Sequence, residues 1–453
     1  MQQKKEVKKK KAFQLVKGMR DILPEEQRYW DFLRDLINKI AKTYGFSRLD
    51  TPLVEAADLF VRGIGQVTDI VEKEMYAFVD QGGDHLALRP EGTAGLARAY
   101  VEHGMHNLPQ PVKLFYFGPM FRHDKPQTGR YRQHWQFGFE ILGEADPIVD
   151  AQVILVAYKI YQSLNLPVNI QINSIGCPGC RPDYENELKD YFKKHKNRLS
   201  ELSQHRLLKN PLRILDSKEK EDLPIIADAP QQIDFLCEDC RNHFMLLFEY
   251  LDDLGIPYAL NPTIVRGLDY YGRTTFEIWT AEEEENSPRE AGGEAGRLTD
   301  SAGRQSALGG GGRYDGLVEL LGGNPTPAVG FAGGVERLIA QMKEKDIKVP
   351  EREKPEIFLA QLGSEARKKA LVLFEELKEA GLAVSENLSK SGLKVQLENA
   401  DKQKVKFTLI LGQKEIVDGT IMIRDMENGI QEVVDFTKVV AEVKKRLEKS
   451  NVK

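Results

Sequence analysis

Five strand-like segments crowd the first 142 residues, at 46–52, 75–79, 85–88, 112–122 and 132–142. They restrict the fold more than any other feature of the chain. Turns or one helical stretch near Thr93–Tyr100 separate them, with no helix of crossover length between most neighbours. Strands in runs joined this way pair as an antiparallel sheet, whereas parallel pairing needs a long crossover each time. Residues 24–44 precede the run and read as an amphipathic helix, with Trp30, Leu33, Ile37 and Ile40 on one face. Pro24 suits its first turn and Gly45 its end.

The rest of the chain changes pattern three times. Residues 173–254 are largely helical, hold all four cysteines and read as a helical insertion. Residues 257–342 return to strands and glycine-rich turns, and within them 281–304 reads as an acidic, then Gly-, Ser- and Ala-rich, hairpin loop. A polar stretch, 343–354, reads as a linker. Beyond it strand patterns at 357–360, 383–385, 407–411 and 420–424 alternate with helical patterns at 364–380 and 389–399, and a helix closes the chain at 437–448. Alternation predicts a small, mostly parallel α/β domain. The predicted organisation is therefore a disordered basic tail (1–16), an α+β core with a mostly antiparallel sheet (17–172 and 255–342), the insertion (173–254), the linker (343–354) and a C-terminal α/β domain (355–453). No repeat of solenoid length is present.

At 453 residues the chain exceeds one ordinary core. No apolar run reaches the roughly 20 residues of a membrane helix, and the lysine-rich start lacks the apolar segment of a secretory signal. Four cysteines in this length make no disulfide framework, so a cytoplasmic location is expected. The net charge of −5 excludes any argument for a nucleic-acid partner from bulk charge. Beyond the basic tail, the C-terminal domain leans slightly basic, with 18 Lys and Arg against 16 Asp and Glu from Lys354 onward.

Chemistry concentrates in three segments. No P-loop pattern is present, so ATP, if used, is bound another way, and arginines on a sheet surface are the alternative, because their planar charged forks match phosphate oxygens. One strand ends at Arg122, a loop follows with Arg130 and Arg132, and a second strand returns with Gln136, Gly138 and Glu140 at period two on one face. Gly138 is expected to leave room for a ligand there. Alone, this is equally a surface hairpin with scattered ion pairs. Residues 328–337 read as a strand entering a helix, with glycines at close approaches and Arg337 early in the helix. The third segment is the strand at 46–52 after its long helix.

In this order the three segments resemble the signature motifs of class II aminoacyl-tRNA synthetases. Three more, Leu-Arg-Pro-Glu-Gly-Thr-Ala-Gly at 88–95, Val-Arg-Gly-Leu-Asp-Tyr-Tyr at 265–271 and Gly-Gly-Gly-Gly-Arg-Tyr-Asp-Gly at 309–316, resemble histidyl-tRNA synthetase specifically. The resemblance runs from about Lys17 to the C-terminus. It implies a class II catalytic core, an anticodon-binding C-terminal domain and a homodimer that uses tRNA(His), L-histidine and ATP with Mg²⁺. It also implies roles. Glu91, Gly92, Thr93, Gln136 and Glu140 would bind the amino end of histidine, and Tyr270, Tyr271, Gly310 and Gly311 its ring. Arg122 and Arg266 would be the catalytic cations at the histidine carboxylate and the α-phosphate. Arg122, Arg130 and Arg337 would bind ATP. Taken singly, Arg266 is equally a partner for Asp269, Tyr270 and Tyr271 ordinary strand residues, and Glu91 an acid at a helix N-terminus.

Cys177–Cys180 and Cys237–Cys240 are two C-x-x-C pairs, the ligand count of a structural zinc site. The long separation and the helical pattern around the second pair favour free thiols or a redox-labile cluster, with zinc the alternative. Lysines 189, 193, 194 and 196 with Arg198 fit phosphate contacts or a solvated helix face. Two features depart from the family pattern: the long 281–304 loop, and Gly333 where methionine is frequent. A histidine-binding regulatory subunit of ATP phosphoribosyltransferase is the rival reading, and a class II synthetase for another amino acid a further one. The presence of Arg122, Arg266, Arg337 and a C-terminal α/β domain argues against the first.

Overall fold

The computed structural model describes residues 12–66, 68–125, 129–281, 307–351, 354–389 and 392–451. Most of the basic tail and nearly all of the 281–304 loop thus lie outside the described residues. The chain divides into two compact units, Met1–Val349 and Pro350–Lys453.

In chain order the strands of the first unit are β1 (Ser47–Arg48), β2 (Val54–Ala56), β3 (Tyr76–Val79), β4 (His85–Leu88), β5 (Val112–Phe121), β6 (Gln133–Leu142), β7 (Val168–Ser174), β8 (Tyr258–Leu260), β9 (Gly272–Thr280), β10 (Gly309–Arg313) and β11 (Ala328–Gly334). Strands β2, β4 and β3 form a small sheet, and the other eight form one large sheet in the order β1-β5-β6-β11-β10-β9-β7-β8. The large sheet is mixed. Its central pairings are antiparallel, while β1 with β5 and β7 with β8 at the two edges are parallel. Long connections separate the partners of each parallel pair, which is what parallel pairing requires.

The leading helix spans Gln27–Thr43 and buries Trp30, Leu33, Ile37 and Ile40 as its periodicity predicts. It ends in a Schellman motif. Gly45 takes a φ of +74°, the Gly45 N–H reaches the Lys42 carbonyl at 3.3 Å, and the Phe46 N–H reaches the Ala41 carbonyl at 2.9 Å. Phe46 then drops into the core, and the expected strand at 46–52 contributes only the short pairing at Ser47–Arg48.

The period-two pattern of β5 and β6 decides what each face of the large sheet meets. Phe115, Phe117, Phe137, Phe139 and Phe331 of β11 all enter the main core. The helix Ile148–Ser163 covers that core and is apolar nearly all round, so it carried no amphipathic signal to read from sequence. The alternate residues, including Gln136, Gly138 and Glu140, face the other way. A register slip of one residue would exchange the two sets, so the pattern specifies the pairing.

Between β7 and β8 the chain is helical, with α-helices at Arg181–Lys194, Glu201–Lys209, Leu223–Ala227 and Glu238–Asp253. These helices share cores with the sheet. Phe244, Leu247 and Leu251 pack into the main core, while Tyr184, Leu188 and Phe192 pack with Tyr271 and Tyr314 in a second.

The second unit is an α/β layer with β12 (Ile357–Gln361), β13 (Val384–Glu386), β14 (Phe407–Leu411), β15 (Thr420–Asp425) and β16 (Gln431–Asp435), ordered β13-β12-β14-β15-β16. The β12 pairings are parallel, but β14-β15 and β15-β16 are antiparallel, so the sheet is mixed rather than mostly parallel. The unexpected strand β16 is exposed almost throughout and lacks an apolar pattern, and the Asn428-Gly429 turn folds it back onto β15.

Candidate active site

A cavity of about 430 Å³ opens on the face of the large sheet away from the phenylalanine core. In an antiparallel pair, residues directly opposite share a face. Gly330, Ala332 and Gly334 of β11 stand opposite Glu140, Gly138 and Gln136 of β6, and Tyr116 of β5 stands opposite Gly138. The floor is therefore a stripe of small residues with polar side chains rising from it.

Most of the residues expected to act together meet here. Glu91, Thr93, Arg122, Arg130, Gln136, Glu140, Arg266, Tyr270, Tyr271, Gly310 and Arg337 all line this cavity. Gly92 and Gly311 are not among the lining residues. Gly311 pairs with both Phe331 and Phe276, whose rings stack 6.2 Å apart, and a Cβ on it would stand 2.0 Å from the Gly330 carbonyl oxygen, so it lets the neighbouring strand approach. Gly92 lies against the Tyr116 ring, where a Cβ would come within 2.4 Å. The same ring fills the space beside Gly138, whose Cβ would also meet it at 2.4 Å. Gly138 thus makes room for a tyrosine rather than a ligand. Gly330 makes room for Glu140, since a Cβ there would stand 1.4 Å from Oε2.

One end of the cavity holds two buried carboxyls. The Glu91 carboxylate accepts the Thr93 N–H at 2.6 Å and the Ala94 N–H at 2.7 Å, in the first turn of the helix Thr93–Glu102. It is therefore a helix N-terminal acid and a cavity residue at once. Glu140 accepts the Thr93 hydroxyl at 2.8 Å and the Tyr314 hydroxyl at 2.6 Å. Burial pushes the Glu140 carboxyl up to about 8; those two hydroxyls pull it down, and nearby Glu91 pushes it further up. Burial also raises Glu91, against the two backbone N–H groups. A cation at this end would be met by carboxyls ready to ionise.

Guanidinium groups dominate the rest. Arg266 bonds Glu277 at 2.7 Å rather than Asp269, and although burial opposes it, Tyr271 and Glu277 hold this guanidinium above its ordinary value. Arg122 donates through Nε to the Pro90 carbonyl at 2.8 Å, leaving Nη1 and Nη2 without a hydrogen-bond partner among the described residues. Arg337 bonds the Ala307 carbonyl at 2.7 Å. Burial, and then repulsion from Arg130 and Arg122, bring it down to about 10. Crowded like charges in a partly dry cleft attract an anion strongly. His134 sits among them, lowered to about 3 by burial and then by Arg122 and Arg337, so its ring is neutral.

Among the described residues, Tyr116 Oη, Gln136 Oε1 and Arg266 Nε are buried polar atoms with no protein partner, and all three residues line the cavity. Orphaned buried groups are costly, and a cluster of them in a cleft marks a place built to be completed by something else.

Sequence reading passed over Tyr116, His134, Glu277 and Tyr314. His134 was within reach, because the period-two stripe of Gln136, Gly138 and Glu140 extends back to it. Tyr116 required the β5–β6 register. Arg313 is a different case. Within the same glycine-rich segment it is fully buried, 2.7 Å from Asp150 and 3.1 Å from Asp315, with the Glu144 and Asp146 carbonyls taking its remaining donors. It builds the fold and does not line the cavity.

The cysteines also converge. The sulfurs of Cys177, Cys180, Cys237 and Cys240 all lie within 4.8 Å of one another.

Comparison with known proteins follows the same lines. A family model described as histidyl-tRNA synthetase matches residues 18–338, and one described as an anticodon binding domain matches residues 356–446. The chain is 44% identical to a histidine–tRNA ligase of Dehalococcoides mccartyi, over 96% of this chain and 100% of that one. It is 43% identical to the histidine–tRNA ligase of Desulforamulus reducens, over 95% and 98%. The crystal structure of apo S. aureus histidyl-tRNA synthetase superposes with a TM-score of 0.74 at 33% identity, covering 95% of this chain and 99% of that chain. A Bacillus halodurans structure described as an ATP phosphoribosyltransferase regulatory subunit/histidyl-tRNA synthetase shares the fold, at a TM-score of 0.60 and 20% identity.

Proposed function

The chain belongs to the histidyl-tRNA synthetase family, and from that premise we propose that the cavity on the large sheet is where its histidine and ATP react. Its activity is that of a histidine–tRNA ligase: histidine is activated with ATP to histidyl-adenylate and pyrophosphate, then transferred to the 3′ end of tRNA(His). The observation that carries the site assignment is the shared cavity. Arg122, Arg266 and Arg337 line the same space as Glu91, Glu140 and Tyr270.

The ammonium of histidine sits at the carboxyl end, against Glu140, Glu91, Gln136 and the Thr93 hydroxyl. Its positive charge draws the proton off Glu140, which burial holds protonated until then. Tyr270 and Tyr271 flank the imidazole, and the unpaired Tyr116 hydroxyl is a further partner for the substrate. A pocket of buried polar groups rejects apolar amino acids, because those groups would then go unpaired. The histidine carboxylate is the nucleophile and attacks the α-phosphorus, so the protein needs none of its own. Arg122 and Arg266 stabilise the charge that spreads over the equatorial oxygens, which favours the transition state over the ground state. Arg337 and Arg130 hold the leaving pyrophosphate.

A Mg²⁺ ion accompanying the polyphosphate completes the proposal and would neutralise charge on the leaving group. Magnesium at such sites takes one or two carboxylates and the substrate's own oxygens. The cavity fits that type, offering Glu277 and Asp124, and no cluster of three or more His, Cys, Asp or Glu ligands gathers there among the described residues.

The C-terminal unit, matched by the anticodon-binding family, reads the tRNA in this proposal. Together with Arg122, Arg266 and Arg337, it favours the ligase over the regulatory-subunit reading. A homodimer is part of the proposal, with a contact that includes 46–52 and the neighbouring small sheet, where Leu53, Val54, Phe78 and Val79 are exposed. So is a cytoplasmic location; no helix among the described residues is long and apolar enough to cross a membrane.

The test is ATP–pyrophosphate exchange with each of the twenty standard amino acids, followed by charging of tRNA(His). Exchange with histidine alone is expected. Exchange driven by another amino acid, or by none, would refute the assignment.

A further inference from the structure

The four cysteines are absorbed by nothing in the adenylation chemistry, yet the fold brings them to one point. Cys177 and Cys180 lie between β7 and the helix Arg181–Lys194, while Cys237 and Cys240 flank the start of the helix Glu238–Asp253. Their sulfurs stand 3.7 Å apart for Cys177–Cys180, 3.9 Å for Cys177–Cys237 and 3.9 Å for Cys180–Cys240. A zinc ion with four thiolates at about 2.3 Å in tetrahedral array needs sulfur–sulfur edges of about 3.8 Å. A disulfide needs about 2.05 Å, and all four cysteines are free. We propose that Cys177, Cys180, Cys237 and Cys240 bind one Zn²⁺ ion in a closed, structural four-thiolate site.

The surroundings match that use. The sequence separation that argued against zinc is spanned by helices whose ends return to the same place. Both C-x-x-C pairs sit at the N-terminus of a helix of more than three turns, where backbone N–H groups and the helix dipole favour the net negative charge of a zinc tetrathiolate. Gly176 takes a φ of +68°, and a Cβ on it would stand 2.8 Å from the Cys180 sulfur, so the turn before the first pair is shaped around that atom. Packing alone does not account for the cluster. Cys180 and Cys240 are buried, but Cys177 is only half-buried and Cys237 is exposed, which leaves a path for an ion. The sulfurs are also too close together to enclose a polynuclear iron–sulfur cluster, and a small tetrahedron of four thiolates is a usual structural zinc site.

The ion would staple the helical segment to the catalytic sheet next to the site. Arg181, adjacent to Cys180, donates to the Tyr271 carbonyl at 2.6 Å, and the Gly176 carbonyl accepts the Arg273 N–H at 2.8 Å. The metal thus anchors the backbone that carries Tyr270 and Tyr271. That consequence rests on the histidine-site reading, whereas the zinc site itself does not.

The decisive measurement is metal analysis of the untagged full-length chain, purified under reducing conditions without chelator. About one zinc per chain is expected, and cobalt reconstitution should give the intense absorption of tetrahedral thiolate-bound Co²⁺. Cys177→Ser and Cys237→Ser should lose the ion, and stripping it from the wild-type chain should lower the unfolding temperature. If the variants fail to fold, the wild-type cobalt spectrum still decides. Zinc well below one per chain after reconstitution, a cobalt spectrum without thiolate character, iron in place of zinc, or disulfides in the reduced preparation would overturn the proposal. None of these results depends on amino-acid exchange, so failure of the zinc site and failure of the synthetase-site assignment are told apart.

Discussion

The two ends of β10 hold the same charged group in opposite circumstances. At one end Arg313 is enclosed with no exposed surface, its donors taken by Asp150, Asp315 and two backbone carbonyls. At the other, beside Gly310, Arg266 has Glu277 as its ion-pair partner among the described residues, and a buried Nε with none there. Both stand beside glycine in the motifs at 265–271 and 309–316. The difference lies in saturation. A cation whose donors are all met by protein is part of the scaffold, and its removal strands a buried carboxylate. A cation with donors left over is poised for something that is not protein.

This contrast can be broken in four places. Arg313→Met should be the most damaging to the fold, costing about 3–5 kcal/mol in chemical denaturation because Asp150 stays buried without its guanidinium. Pyrophosphate exchange per folded molecule should stay within a few-fold of wild type; exchange abolished at unchanged stability would reverse the assignment of the two ends. Arg266→Ala should do the converse. Adenylation kcat should drop by about 100- to 1,000-fold, or roughly 3–4 kcal/mol of transition-state stabilisation. The pair with Glu277 keeps about a fifth of each side chain exposed, so its loss should cost the fold less than loss of the fully buried Arg313 pair. Stopped-flow adenylate formation beside a urea titration checks both halves.

Glu140→Gln addresses the carboxyl end. Folding raises the Glu140 carboxyl from its ordinary 4.5 to about 8, so the folded state holds the proton more tightly than the unfolded one. The stability this contributes is complete below about pH 4.5 and is lost as pH rises through about 8. The slope is at most about 1.4 kcal/mol per pH unit. The free wild-type chain should therefore lose stability between pH 5 and 8 relative to Glu140→Gln. Histidine affinity should rise over the same interval in the wild type more than in the variant, as the ammonium takes the place of the proton. Parallel pH profiles for the two proteins would disprove it. The smallest effect is expected from Tyr116→Phe. Its hydroxyl has no partner among the described residues, so stability should hold while histidine binding weakens by about 0.5–1.5 kcal/mol, measured by calorimetry.

The same contrast explains what could be read in advance. Gln136, Gly138 and Glu140 announced a polar face because strand periodicity is local, and the glycines within 328–337 announced close approach. Neither told which approach. Gly138 and Gly92 proved to accommodate Tyr116, Gly330 to accommodate Glu140, and Gly311 to accommodate the Gly330 carbonyl, because each outcome depends on which residue of a neighbouring strand lies opposite. The buried helix Ile148–Ser163 escaped notice since a segment apolar on all sides has no periodicity to detect, and β16 escaped since an exposed edge strand needs no apolar pattern. Arg313 had no role of its own legible in the sequence, and its burial could not be read there, as all of its partners except Asp315 lie more than a hundred positions away.

What the chain's order of residues determined alone was local. Helix phase, strand alternation, the capping at Gly45 and the identity of the charged groups all follow from side chains and dihedral preferences within a few positions. What only the tertiary structure decided was pairing. It set which glycine faces which ring, which arginine is satiated and which is not, and whether two C-x-x-C pairs 60 residues apart share a point in space. Pairing is a property of contacts between distant segments, settled when the sheet closes its register and buries one face, and no local pattern carries it.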